Sequence, residues 1–142
     1  MFAQAQEGVG RMKQDLRTVI DEVIQDIVGL DVALFFQAHP NVFDTATGIA
    51  MRMGRTTEEV EEPLERLAEA GILETYDLGA GRYRCYTLRR TDEVWAMLCR
   101  LSELYLDNPA ARREIIRMLI DRRRRAREQQ ADAADHGEGE DK

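Results

Sequence analysis

Two short helix signals stand in tandem near the middle of the chain, and they constrain the fold more than any other feature. Asp44 or Thr45 can cap a first helix that ends at Gly54, where glycine suits the left-handed turn after a helix. Thr56 and Glu59 then have the spacing of a capping box, in which each side chain bonds the other residue's amide. The sequence therefore predicts a helix, a tight turn and a second helix.

The second helix carries a single apolar stripe. Val60, Leu64 and Leu67 recur at steps of four and three residues, as expected for one buried helix face. Pro63 lies beyond the first turn, where it removes a backbone hydrogen bond, so we expect a local kink or a shifted start. Gly71 ends the helix and leads into a run of strand-forming residues.

Two strand-like runs, residues 72–78 and 82–88, follow the second helix. Gly79-Ala80-Gly81 between them permits the positive φ angles that a short hairpin loop requires. Alternation along the second run turns Tyr86 and Leu88 inward and leaves the arginines near its start at the hairpin rim. The predicted fold class is mainly α with a small β-hairpin.

Long helices are predicted on both sides of this central domain, which spans residues 31–90. Residues 1–30 carry apolar side chains at steps of three and four and indicate an amphipathic helix, after which Asp31 is a fresh N-cap. Residues 91–128 carry two further helices. From residue 129 to residue 142 the chain turns to Ala, Asp, Glu and Gly, and we expect a disordered acidic tail.

The flanking helices have apolar stripes, Val9–Ile27 and Val94–Tyr105, that exceed what a small central domain is expected to cover. Exposing such patches on a monomer is unfavourable. The stripes therefore predict a homodimer formed through the flanking helices. The alternative is that the leading helix packs on its own domain as an intramolecular strut.

The charge and hydropathy of the chain restrict its partners. The net charge is −7 and the isoelectric point about 4.9, which argues against a general binder of polyanions. No apolar run approaches the length of a membrane span, and the N-terminus lacks a secretory signal pattern. We therefore expect a cytoplasmic protein with no membrane partner.

The sequence offers no motif for catalysis, a cofactor or a metal. Cys85 and Cys99 are the only cysteines and lack metal-site spacing, so we interpret them as buried or half-buried thiols in a reducing compartment. A zinc site would need two more ligands, and His39 and His136 are the only histidines. No phosphate-binding glycine loop or nucleophile motif occurs. The sequence therefore predicts a protein that is not an enzyme.

The phrase TGIAMRMGRTTEEVEEPLERLAEAGILETYDLGAGRYRCYTL, residues 47–88, resembles the winged helix-turn-helix superfamily of prokaryotic transcriptional regulators. MarR-, ArsR- and PadR-like regulators share these positions widely. The residues that carry the resemblance are Ile49-Ala50, Thr56–Val60, Leu64–Leu67, Gly71–Leu73 and Tyr86–Leu88. The resemblance implies a winged helix, a DNA-reading helix at about residues 57–70, and flanking helices that form a dimer interface.

One face of the second helix departs from what DNA reading requires. With the apolar stripe inward, Glu58, Glu62, Glu65 and Glu69 fall together on the outward face, with Arg66 at its margin. Carboxylates repel the phosphates of DNA, and this outward face lacks the Arg, Asn and Gln side chains that usually read bases. Base reading by this helix is therefore disfavoured.

Arginines at the turn and on the hairpin offer phosphate contacts instead, since such contacts position a protein without reading sequence. Two hypotheses follow: a regulator that binds DNA through turn and wing arginines, or an adaptor that uses the acidic face to bind a protein. The candidate contact residues are Arg52, Arg55, Thr57, Glu58, Glu62, Glu65, Arg66, Arg82 and Arg84. The arginine run at residues 122–127 is interpreted as a solvated helix end, although it can also pair with an acidic surface.

Overall fold

The computed structural model describes the backbone of residues 16–140 and the side chains of residues 16–133. Residues 16–19 are helical and continue into a π-helix, Ile20–Ile24; we call residues 16–24 the N-terminal segment. The helices and strands that follow are α1 (Ile27–Ala38), β1 (Phe43–Thr45), α2 (Ala46–Met53), α3 (Thr57–Glu69), β2 (Leu73–Leu78), β3 (Tyr83–Leu88), α4 (Asp92–Ser102), a π-helical turn (Glu103–Asp107) and α5 (Pro109–Glu140).

The helix–turn–helix forms as the local signals predict. Thr45 caps α2 by accepting a 3.2 Å hydrogen bond from the Gly48 amide, and Gly54 follows with a left-handed φ of 71°. The side chains of Thr56 and Glu59 make both bonds of the capping box. Helix α3 therefore begins where that motif places it, without the shifted start that its internal proline suggested.

The sheet has three antiparallel strands in the order β1-β3-β2, so the predicted hairpin gains a third strand. Strand β1 pairs Phe43 with Thr87 on the open edge of β3. Its three residues are too few to show an alternating pattern, which is why the sequence did not reveal it. Tyr86 and Leu88 are each 4% exposed, which confirms their inward assignment. Two short helices followed by this hairpin, packed on one core, make a winged helix.

The N-terminal boundary differs from the prediction. Asp26, and not Asp31, caps α1, because its carboxylate accepts a 2.7 Å hydrogen bond from the Gly29 amide. A Cβ atom on Gly29 would lie 2.0 Å from the Ile24 carbonyl oxygen, so this glycine permits a close approach to the preceding segment. Asp31 lies inside α1 instead and pairs with an arginine of the turn.

A single hydrophobic core joins the central domain to its flanking helices. The side chains of Leu16, Ile20 and Ile24 from the N-terminal segment are at most 4% exposed, and Leu98 and Leu101 of α4 are fully buried. Most of the described part of the leading stripe is therefore covered within the chain, as the strut alternative predicts, although Ile27 at its end is 42% exposed. Residues 1–15 of the predicted helix lie outside the described residues.

Helix α5 extends beyond its predicted end. Asn108 caps it by accepting a 3.0 Å hydrogen bond from the Ala111 amide, and Pro109 takes the first position. The helix then continues to Glu140, where disorder was predicted from residue 129, because Ala, Glu and Gln favour helix. No helix in the described ranges combines the length and apolarity needed to cross a membrane.

Candidate functional site

The polar face of α3 is the centre of the candidate site. Val60, Leu64 and Leu67 bury the opposite face at no more than 1% exposure, and α3 packs on α1, α2 and β2. Over its length α3 has six glutamates and one arginine. Its exposed glutamates are Glu58, Glu59, Glu61, Glu62 and Glu69, of which Glu59 pairs with Arg55 and Glu62 with Arg66. The helix that would enter a DNA groove in a winged helix is therefore strongly acidic.

Side chains of the β2–β3 hairpin, which is the wing of the winged helix, bond the Glu65 carboxylate and neutralise its charge on this acidic face. Arg84 of β3 donates to both of its carboxylate oxygens, from Nε at 2.6 Å and from Nη2 at 3.1 Å. The Tyr86 hydroxyl donates to the same carboxylate, and the Arg84 guanidinium lies 5.8 Å from the centre of the Tyr86 ring. We call Glu65, Arg84 and Tyr86 the Glu65 cluster. It joins α3 to the wing and neutralises a predicted DNA-contacting arginine.

The Glu65 cluster shifts the pKa of each member. The hydrogen bonds from Arg84 hold the pKa of Glu65 below its ordinary value, and the same bonds raise the pKa of Arg84. Burial, and then the bond to Glu65, raises the pKa of Tyr86 to about 12. All three shifts favour the arrangement that the structure shows at neutral pH.

Tyr86 should therefore ionise near pH 12 in the folded protein, against an ordinary value of 10.0. Since its folded pKa lies above its unfolded pKa, its contribution to stability is complete below about pH 10 and is lost as the pH rises to about 12. Phenolate absorbance measured against pH checks this expectation. Tyr86→Phe should remove the late step, and an unchanged titration in that variant would contradict the assignment.

Arg52 and Arg55, the two arginines at the turn between α2 and α3, differ in how far their side chains are exposed. Arg55 is 24% exposed; it pairs with Asp31 of α1 and, at 2.8 Å, with Glu59. The bond to Asp31 is the main cause that raises the pKa of Arg55. Arg52 is 57% exposed, and its Nε donates a 3.4 Å hydrogen bond to the Asp44 carboxylate, which makes one long ion pair. Arg55 thus ties the turn to α1, whereas Arg52 makes a single long contact and keeps more than half of its side chain exposed to a ligand.

Arg66 does not lie at the margin of the outward face, as the sequence predicted. Its side chain is only 13% exposed, and it donates to the carbonyl oxygens of Val23 at 3.0 Å and Ile24 at 3.2 Å. These carbonyls end the N-terminal segment, where helical carbonyls lack partners within the helix and attract a cation. Arg66 therefore connects α3 to the N-terminal segment and has little side-chain surface left to meet a ligand.

The remaining candidates are Thr57 and Arg82. The Thr57 hydroxyl lies 3.4 Å from that of Thr47, so it joins α3 to α2. Arg82 is exposed next to the hairpin tip and makes no salt bridge or side-chain hydrogen bond with any residue from 16 to 133. Arg52 and Arg82 are therefore the predicted arginines most accessible to an anion.

The sequence prediction missed two members of this surface. Glu61 is exposed and lies three residues beyond Glu58, so stepping along the helix face would have included it. Tyr86 was assigned to the core, correctly, but its hydroxyl also bonds Glu65. No spacing in the sequence reveals that bond, because it joins residues from different elements.

Comparisons with known proteins leave the family open. No protein-family model matches the chain, and no curated protein matches it. A possible transcriptional regulator from Methanosarcina mazei Go1 has a similar structure, with 14% identity over 71% of this chain and 85% of that chain and a TM-score of 0.47. MepR of Staphylococcus aureus, a transcription regulator of the multidrug efflux pump MepA, is also similar. It has 16% identity over 98% of both chains and a TM-score of 0.45.

A further similar structure is the complex of S. aureus MepR with DNA. The identity is 14%, the likeness covers 97% of this chain and 96% of that chain, and the TM-score is 0.44. Identities and scores this low assign no function. The winged-helix assignment rests on the helices and strands described above.

Proposed function

We propose that this chain is a winged-helix transcriptional regulator that binds duplex DNA as a homodimer. The observation that carries the proposal is the arrangement of α2, α3 and the hairpin. Helix α3 is capped at its start, buries one face completely and exposes its other face, and the wing is joined to it through the Glu65 cluster. This is the geometry in which winged helices present a helix and a hairpin to DNA.

The charges of the site indicate how DNA would be held. The exposed carboxylates of α3 repel phosphate, whereas Arg52 and Arg82 are exposed cations at the turn and the wing. We therefore propose that these arginines contact phosphates and that α3 stays out of close contact with the backbone. Such contacts fix position without reading bases.

Replacing Arg52 and Arg82 together by glutamine should weaken DNA binding across sequences. Each lost phosphate contact lowers the dependence of log K on log salt by about 0.9, so losing the pair from both chains of the dimer should lower it by about 3.6. Fluorescence anisotropy titrations with duplex DNA at several salt concentrations measure the slope. The protein-to-DNA ratio at saturation should be two chains per duplex. The variant Arg17→Gln/Arg100→Gln removes the same charge from exposed ion pairs with Glu114 and Glu103 and is the control. Equal slopes in both variants would exclude the proposed contacts.

A second function is favoured by a separate observation. Glu58, Glu61 and Glu69 are exposed and have no ion pair within 4.0 Å among the described side chains, while Arg55 and Arg84 are paired with carboxylates of the same chain. An acidic helix face of this kind fits a basic protein partner. The alternative proposal is therefore a winged-helix interaction module.

A further inference from the structure

Helix α5 carries a stripe of arginines that the winged-helix function does not use. Arg113, Arg117, Arg124 and Arg127 are separated by four, seven and three residues, so they project along one line of the helix. All four side chains are exposed. We call these four residues the α5 stripe. At 1.5 Å per residue it is about 21 Å long.

The opposite face of α5 fixes its orientation. Ile115 and Leu119 are 4% and 3% exposed in the core. Arg122 donates to the Asp21 carbonyl oxygen, and Arg125 donates to the Asp21 carboxylate at 3.2 Å. Asp21 thus holds two arginines of the 122–127 run against the N-terminal segment. The stripe faces solvent from a helix that cannot turn about its axis without losing these contacts.

The α5 stripe is not neutralised by its own helix. No ion pair within 4.0 Å joins any of its four arginines to a carboxylate among residues 16–133. Glu114 and Asp121 lie three residues before Arg117 and Arg124, the favourable spacing for a helical pair, but Glu114 pairs with Arg17 instead and Asp121 comes within 4.0 Å of no arginine among the described side chains. The stripe therefore concentrates positive charge on an acidic protein.

We infer that the α5 stripe is a second DNA-binding surface, which holds the phosphate backbone of a duplex independently of base sequence. Every cation in it is arginine, whose planar fork matches phosphate oxygens. Ile120 is the one apolar side chain on the line, at 53% exposure, and a protein interface requires more buried anchors than that. A length of about 21 Å spans roughly six base pairs of axial rise.

The stripe also has a defined end. Beyond Arg127 the described side chains include Glu128 and Asp132, and no further arginine or lysine occurs before Lys142. Phosphate contact is therefore confined to the first two thirds of α5. The inference takes duplex DNA as ligand from the proposed function, but it uses residues separate from the turn and the wing.

The test is Arg117→Gln/Arg124→Gln in the full chain, titrated against a 30-base-pair duplex of random sequence. The slope of log K against log salt should fall by about 1.8 for each bound chain, or about 3.6 for the dimer, and binding at 0.1 M salt should weaken by about tenfold or more. The control variant Arg17→Gln/Arg100→Gln has the same net charge and should retain most of the wild-type salt slope and most of the wild-type affinity. Arg117→Lys/Arg124→Lys should keep the wild-type slope, because counterion release depends on charge. Circular dichroism checks that each variant stays helical.

The outcomes separate this inference from the proposed function. If Arg52→Gln/Arg82→Gln lowers the slope and Arg117→Gln/Arg124→Gln does not, the stripe inference is overturned and wing binding stands. The reverse result supports the stripe and overturns the wing contacts. If wild-type protein shows no salt-dependent DNA binding, both fail. Capture of poly-glutamate in preference to the duplex would also overturn the inference, since it indicates an acidic protein partner.

Discussion

Replacing Arg66 by alanine is expected to lower the free energy of unfolding by about 2–3 kcal/mol, a large loss for one polar residue. The side chain is 13% exposed, and its guanidinium bonds the carbonyl oxygens of Val23 and Ile24. Hydrogen bonds from charged groups are worth about 1.5–3 kcal/mol, and the two carbonyls would lose their charged donor. Alanine also removes the aliphatic stem that packs between α3 and the N-terminal segment.

Urea denaturation followed by circular dichroism measures this loss. Arg82→Ala is the matched control, because it deletes an exposed arginine and should change stability by no more than about 0.5 kcal/mol. Arg66→Lys should fall between the two, since one ammonium on a different stem does not reproduce the arginine fork. Equal stabilities for Arg66→Ala and Arg82→Ala would show that Arg66 does not hold the N-terminal segment.

The features that could be predicted from the sequence are those set by neighbours along the chain. The caps at Thr45 and Thr56 each join residues three apart, and the left-handed Gly54 ends α2 by a local rule. The apolar stripe of α3 follows from helix geometry alone. These local rules predicted the winged helix apart from the short strand β1 and the start of α1, which Asp26 caps in place of Asp31.

The site was less predictable because its contacts are distant in sequence. Arg66 meets Val23 across 43 residues, and Arg84 meets Glu65 across 19. A periodic stripe identifies which residues are apolar and inward, but a long arginine can leave the polar margin and reach carbonyls on a neighbouring element. Charge counting along α3 likewise cannot show that Glu65 is bonded from the wing. Helix periodicity therefore placed the glutamates of α3 on one exposed face, but it overstated how many charges on that face are free, because Arg66 and Glu65 are bonded within the chain.

Glu65→Gln should strengthen binding to duplex DNA by about tenfold at 0.1 M salt. The change removes one negative charge from the face of α3 and also releases Arg84, which Glu65 now holds through two hydrogen bonds. An amide still accepts one bond but supplies no opposite charge. Arg84 then keeps only the longer, 3.6 Å contact with Asp77 among the ion pairs of the described residues, and it becomes more available to phosphate. Stability should change by less than about 1 kcal/mol, because Arg84 and Glu65 are 44% and 39% exposed.

Glu58→Gln is the control for charge alone, since Glu58 is exposed and makes no salt bridge with the described residues. It should strengthen binding less than Glu65→Gln does, and Glu65→Gln/Arg84→Gln, which removes one charge of each sign, should return close to the wild-type value. Anisotropy with one duplex across all three variants makes the comparison. Equal gains for Glu65→Gln and Glu58→Gln would mean that the Glu65 cluster does not restrain Arg84.

The same variants decide between the two proposed partners. If the acidic face of α3 binds a basic protein, both Glu58→Gln and Glu65→Gln delete part of its electrostatic complement and should weaken that complex. DNA binding predicts a gain from each change, because each removes repulsion from phosphate. The opposite signs make the result decisive: loss of DNA affinity in Glu65→Gln would overturn the masking of Arg84 and would favour the interaction module.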